Sequence, residues 1–207
     1  NSTVEELQAY MDGYLEELKK RGDALKGISK ISVQTGTTHG GIPLADGTVA
    51  KVKIDFEVLE KLSETSRLKY GLSGAVQHGA STLPDEAFDR FPATGTAEIH
   101  LATGFQNMIF DSSEFPDDLR VKLYDHLKSN MKNEWKEKDT EEQFIYKTRK
   151  KAFGPFKLEL WNLPADVRSR ICDALERQFA FLFEKLKVNR TIDLLDKYIQ
   201  PVDVPLK

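Results

Sequence analysis

Three times in its first 110 residues the chain runs from a short apolar stretch, through a turn of small residues, into a helical pattern. No other feature limits the fold as tightly. The first unit joins Ile28–Thr35 to the loop Gly36-Thr37-Thr38-His39-Gly40-Gly41 and then to a helix carrying Phe56, Leu59 and Leu62. The second joins Ser73–Gln77 to His78-Gly79-Ala80-Ser81 and to a helix opened by Pro84-Asp85-Glu86, with Ser81 or Thr82 near its cap. The third joins Thr96–Ala102 to Thr103-Gly104 and a helix through Phe105, Met108 and Ile109. Strands alternating with helices build parallel βαβ units, so an α/β fold is expected. His39, His78 and His100–Thr103 fall at equivalent strand ends, where parallel α/β proteins hold their ligands.

The flanking segments are helical. Ser2 and Glu5 fit a capping box ahead of a helix over residues 3–21, with Val4, Leu7, Met11 and Leu18 on one face. Between the first loop and its helix, residues 41–50 form an excursion with a turn at Asp46-Gly47, and Asp55 caps the helix that ends near Tyr70-Gly71. Beyond Phe115 only helical spacing remains. Leu119, Leu123 and Leu127 share a face, Glu141–Phe153 is stopped by Gly154-Pro155, and Pro164–Leu186 directs Val167, Ile171, Ala174, Leu175, Phe179, Leu182 and Leu186 inward. A short last helix is expected over Thr191–Ile199. Phe179, Phe181 and Phe183 cannot all face one core, so part of the long helix is expected to meet a partner subunit or a barrel wall. The organisation expected is βα units over residues 1–110 and a helical region over 111–207.

At 207 residues the chain has material for one sizeable core. A net charge of −3 gives no electrostatic basis for nucleic-acid binding, and no apolar run approaches membrane-spanning length. Cys172 is the sole cysteine, which points to a reducing, cytoplasmic setting. On the side of Ile171 and Leu175 it reads as a small packed hydrophobe.

The segments GTTHGG, KVKIDFEVLEKLSE, AVQHGASTLPDEAF and AEIHLATGFQ, in that order and spacing, resemble the class II metal-dependent ketose-bisphosphate aldolases, most closely the tagatose-bisphosphate branch. The likeness covers roughly residues 28–110. It implies the C-terminal part of a (β/α)8 TIM barrel with an added C-terminal helical region, and a zinc-dependent aldehyde-lyase. Such an enzyme cleaves a phosphorylated ketose to dihydroxyacetone phosphate and an aldehyde. By position, His39 and His78 would be metal ligands for Zn²⁺ or another divalent ion. Gly40, Gly79, Ser81, Ala102 and Thr103 would bind the substrate's phosphate. The residue types suit these tasks: neutral imidazoles ligate zinc, and glycines let backbone N–H groups approach an oxyanion.

The chain also departs from the family pattern. His100 stands where the family has an Asn that contacts the enediolate, so it is a substitute catalytic donor, an extra ligand, a sign of changed substrate, or a satisfied structural histidine. Pro43 occupies the place of a phosphate-contacting Lys in the fructose branch, with Lys51 and Lys53 the nearby bases. Tyr146-Lys147-Thr148-Arg149 is similar to a YxPR element, which makes Arg149 a candidate for the distal phosphate. The family's first metal histidine, its acid Asp and its base Glu lie upstream of the matched region. The resemblance therefore implies that Asn1–Lys207 works with an N-terminal half of the barrel, as a homo-oligomer. The alternative is a non-catalytic barrel that binds a sugar phosphate, or an inactive fragment. Bland readings stand beside these: strand-end polar residues for His39 and His78, a helix cap for Ser81, and solvated faces for His126 and for the basic run Lys147–Lys157.

Overall fold

The computed structural model describes residues 1–38, 40–51 and 53–205. Helix α1 spans Val4–Arg21, and its cap is Thr3, whose hydroxyl accepts the Glu6 N–H while Glu6 answers the Thr3 N–H. The reciprocal pair expected at Ser2 and Glu5 is thus one residue later. The reason is that Ser2 is already engaged: its N–H donates to the Gln34 carbonyl at 2.7 Å and its Oγ accepts the Gln34 N–H at 3.0 Å. Helix α1 buries Leu7 and Met11 at the predicted spacing.

Strands β1 (Ile31–Val33), β2 (Ala75–Gln77) and β3 (Glu98–Ile99) form one parallel sheet in the order β1-β2-β3. The architecture is therefore α/β. Helix α2 (Phe56–Tyr70) is capped by the Asp55 carboxylate, which accepts the Val58 N–H, and closes on Gly71 in the left-handed conformation. It buries Phe56, Leu59 and Leu62 against the back of the sheet, and Ser63 Oγ accepts the Ala75 N–H at 3.1 Å, tying helix to strand.

Side chains alternate across the sheet, so Ile31, Val33, Ala75 and Ile99 join the core behind it. The opposite face carries Lys30, Ser32, Gln34 and Glu98. Lys30 and Glu98 form an ion pair that passes over the middle strand, and Val76 is buried beneath it.

After β2 the expected helix does not form. A 3₁₀ turn over Asp85–Ala87 is followed by the four-residue α3 (Arg90–Ala93), and neither has a side-chain cap. Pro92 is the cause. In a continuous helix its ring would strike the Phe88 carbonyl, whereas in the first turn of α3 its missing N–H costs nothing.

Helix α4 (Thr103–Phe110) follows β3. The remaining helices are α5 (Asp117–Asn130), α6 (Glu141–Thr148), α7 (Lys157–Trp161), α8 (Ala165–Lys185) and α9 (Ile192–Tyr198). With α4, helices α5 to α8 and the segments between them enclose a second core of Phe110, Phe115, Leu123, Leu127, Phe144, Ile145, Ala152, Phe156 and Ile171. The stretch expected to be helical to Phe153 tightens into 3₁₀ geometry after Thr148, a common way for a helix to end. In α8, Ile171 serves the second core and Leu182 the first. Phe179 is not inward: it is 42% exposed and stacks on Phe105 at 4.5 Å between ring centres. Cys172 is exposed rather than packed, being one residue round the helix from buried Ile171. Helix α9 buries no residue. Among the described residues no helix is long and apolar enough to cross a membrane.

Candidate functional site

The carboxyl ends of the three strands converge. At the end of β2, Gln77 is fully buried and both ends of its amide are hydrogen-bonded. It accepts the Thr35 hydroxyl at 2.6 Å and donates to Thr37 Oγ1 at 2.8 Å and to the His78 carbonyl at 2.5 Å. Thr37 also donates to the His78 carbonyl, at 2.8 Å. Two donors on one carbonyl fix the backbone from which the His78 ring projects. His78 itself is half-buried and borders a cavity of about 410 Å³ lined by Ser2, Ser32, Val33, Gln34 and Thr37. His39 lies outside the described residues.

The other candidate residues meet in pairs across these loops. A Cβ on Gly79 would sit 2.9 Å from the Thr38 carbonyl and 3.0 Å from Thr37 Oγ1, so only glycine allows the loops after β1 and β2 this approach. Gly40 faces Thr103, whose hydroxyl would be 3.6 Å from a Cβ at that position. Ser81 Oγ accepts the Ala102 N–H at 2.8 Å. Ser81 thus caps no helix of its own but ties the loop after β2 to the one after β3 through the Ala102 N–H. Helix α4 begins directly after Ala102 with no side-chain cap, so its first N–H groups face the loops with their donors uncommitted to any capping side chain.

His100 is exposed and its ring stacks on His78, with centroids 4.3 Å apart and planes 27° from parallel. Its Nε2 meets Glu98, whose other carboxylate oxygen meets Lys30. Lys30 first and His100 second hold the Glu98 carboxyl below the usual carboxylate range. His100 is therefore a close neighbour of His78, with its Nε2 engaged by Glu98.

Zinc requires three or four converging N, S or O donors. Among the described residues no group of three His, Cys, Asp or Glu side chains is placed to hold a metal. His78 supplies one nitrogen of a suitable kind, and a complete set of three is not found among the described residues.

Arg149 is not presented to the strand ends as an open cation. Its guanidinium is buried, forks onto Asp111 with Nη2 at 2.9 Å from Oδ2, and donates to Asn107 Oδ1 at 2.6 Å. The residue in that segment which reaches the site is Tyr146. Its hydroxyl donates to the Gly40 carbonyl at 2.8 Å and accepts from Asn107 Nδ2 at 3.1 Å. Pro43, in place of a lysine, offers only its carbonyl, which accepts from Gln143 at 2.9 Å. Sequence reasoning passed over Gln77 and gave no role to Tyr146. A lone amide in an otherwise apolar buried strand was the available signal for the first, and nothing local marked the second.

The family model for class-II fructose-bisphosphate aldolase matches residues 13–149, about two thirds of the chain. No curated protein matches it.

Proposed function

Because the chain belongs to the class-II fructose-bisphosphate aldolase family, we propose that it acts as a zinc-dependent aldehyde-lyase on a phosphorylated ketose of the fructose- or tagatose-bisphosphate type. Reversible aldol cleavage would give dihydroxyacetone phosphate and an aldehyde. The observation that supports this reading best is the convergence of three strand ends, which puts Gly40 beside Thr103, Gly79 beside Thr37, Ser81 on Ala102 and His78 against His100. Glycine backbones and the uncapped start of α4 make an anion site of the kind a sugar phosphate needs.

In this proposal Gly40, Gly79, Ser81, Ala102 and Thr103 line the phosphate site. His78 and His39 would hold the zinc ion, which when bound supplies Lewis acidity toward the ketose carbonyl oxygen. His100 takes the place of the family's Asn as a polar ring at the reacting end, with Glu98 and Lys30 setting its orientation. The proposed setting is a (β/α)8 barrel whose further strands flank β1 and β3, in a cytoplasmic homo-oligomer.

The test is aldol cleavage of both bisphosphates with and without EDTA, alongside metal analysis. His78→Ala should lose the metal and abolish turnover, and a variant that keeps stoichiometric zinc with full activity would overturn the reading. A second reading, a non-catalytic sugar-phosphate binder, is favoured by the commitment of Arg149 to Asp111 and Asn107 and by the proline at position 43. Phosphate-ester binding with no EDTA-sensitive cleavage would select it.

A further inference from the structure

Helix α6 lies along the loop that follows His39, and three polar side chains on one of its faces each seize a carbonyl of that loop. Thr140, its N-cap, donates to the Ala45 carbonyl at 3.2 Å, Gln143 to Pro43 at 2.9 Å and Tyr146 to Gly40 at 2.8 Å. The donors are spaced at three residues and their acceptors run backwards along the loop, so helix and loop are antiparallel partners. The Tyr146 end is itself braced. Asn107 donates to the Tyr146 oxygen, Arg149 holds Asn107, and Asp111 holds Arg149. Gly40 and Gly41 both have positive φ, and a Cβ on Gly41 would lie 2.6 Å from Val49. Tyr146 thus holds the Gly40–Gly41 peptide in a conformation that glycine alone adopts readily.

We propose that Tyr146 is a positioning residue for the strand-end site. Through the Gly40 carbonyl it sets the loop from Gly40 to Ala45, and α6 is the splint on which that setting depends. What the loop does once set rests on the aldolase reading; how it is held rests on the hydrogen bonds alone. The relay also gives Arg149 a task other than the distal phosphate, since it orients Asn107 and so the tyrosine oxygen.

The experiment is Tyr146→Phe, read by amide NMR of the chain and by titration with inorganic phosphate. The Gly40 and Gly41 amide signals should move, and phosphate affinity should fall about tenfold, the size expected for one lost hydrogen bond that also loosens its partner. For sugar-phosphate cleavage, KM should rise by a larger factor than kcat falls. Should Tyr146→Phe fail to fold, Asn107→Ala removes the brace and keeps the tyrosine, and the same signals should move with about a threefold loss of affinity. Unmoved Gly40 and Gly41 signals overturn the splint whatever the activity. Moved signals with phosphate affinity and KM within about twofold of the parent overturn the positioning role. A parent chain with no phosphate affinity at all defeats the aldolase reading, while the amide shifts still judge the splint.

Discussion

The core behind the sheet draws on residues from Leu7 to Leu182 and includes strands, whereas the second core is built from helices and their connections between Phe110 and Ile171. The first is mostly aliphatic in its centre, with Leu59, Leu62 and Ala75 wholly buried, and the second is dominated by phenylalanines. The difference teaches a division of labour. Parallel strands need long-range contacts to form at all, but in return their carboxyl ends bring together loops from distant parts of the chain. The helical half closes on local contacts and presents no comparable convergence, yet through α6 it reaches across to hold one of those loops. Helices α4 and α8 contribute to both cores: Phe105 and Leu182 on one side, Phe110 and Ile171 on the other.

The largest expected effect tests whether those shared helices weld the halves together. Phe144, fully buried and stacked on Trp135 at 4.5 Å, anchors the second core, and Phe144→Ala should cost about 3–5 kcal/mol. Urea unfolding followed by far-UV circular dichroism and by tryptophan fluorescence should stay a single coincident transition. A separate early transition of the helical half would break the comparison and show two independent units.

A smaller effect sharpens it on the sheet side. Gln77→Leu removes an amide that serves Thr35, Thr37 and the His78 carbonyl, and should destabilise by about 2–3 kcal/mol because buried hydroxyls lose their partners. Urea midpoints measure the loss, and the His78 ring signals should shift with it. A variant as stable as the parent would mean that the strand end is not held by this side chain.

The smallest effect lies on the open face of the sheet. Lys30, then His100, hold the Glu98 carboxyl below its ordinary value, so the stabilisation they confer is present above the unfolded carboxylate range. It is lost as pH falls through the lowered value. These groups are partly exposed, which keeps the contribution under about 1 kcal/mol. Glu98→Gln should flatten the acid limb of the stability curve by that amount, and an unchanged limb would show that the pair does not contribute.

How legible this was in the sequence follows the same division. The alternation of Ile28–Thr35, Ser73–Gln77 and Thr96–Ala102 with helical stretches exposed the parallel sheet, because period and turn chemistry are local. Asp55 and Gly71 were readable as the ends of α2 for the same reason. The Thr3 cap was displaced by a tertiary bond from Ser2 to Gln34, which no local rule contains. Pro92 was visible, but its effect depended on which turn of the helix it would occupy. Tyr146 and Arg149 stood together in the sequence, and only the fold shows that the arginine supports the tyrosine's neighbour while the tyrosine reaches Gly40.

The braces from Thr140, Gln143 and Tyr146 also run in the opposite direction. Thermodynamic linkage makes any coupling between two sites mutual. A ligand that stiffens the turn after His39 must therefore strengthen α6 by the same increment that α6 lends to binding. Occupancy at the mouth of the sheet becomes audible in the phenylalanine-rich half, so a fluorescent reporter at Trp135 would hear events at a strand end with which it shares no core.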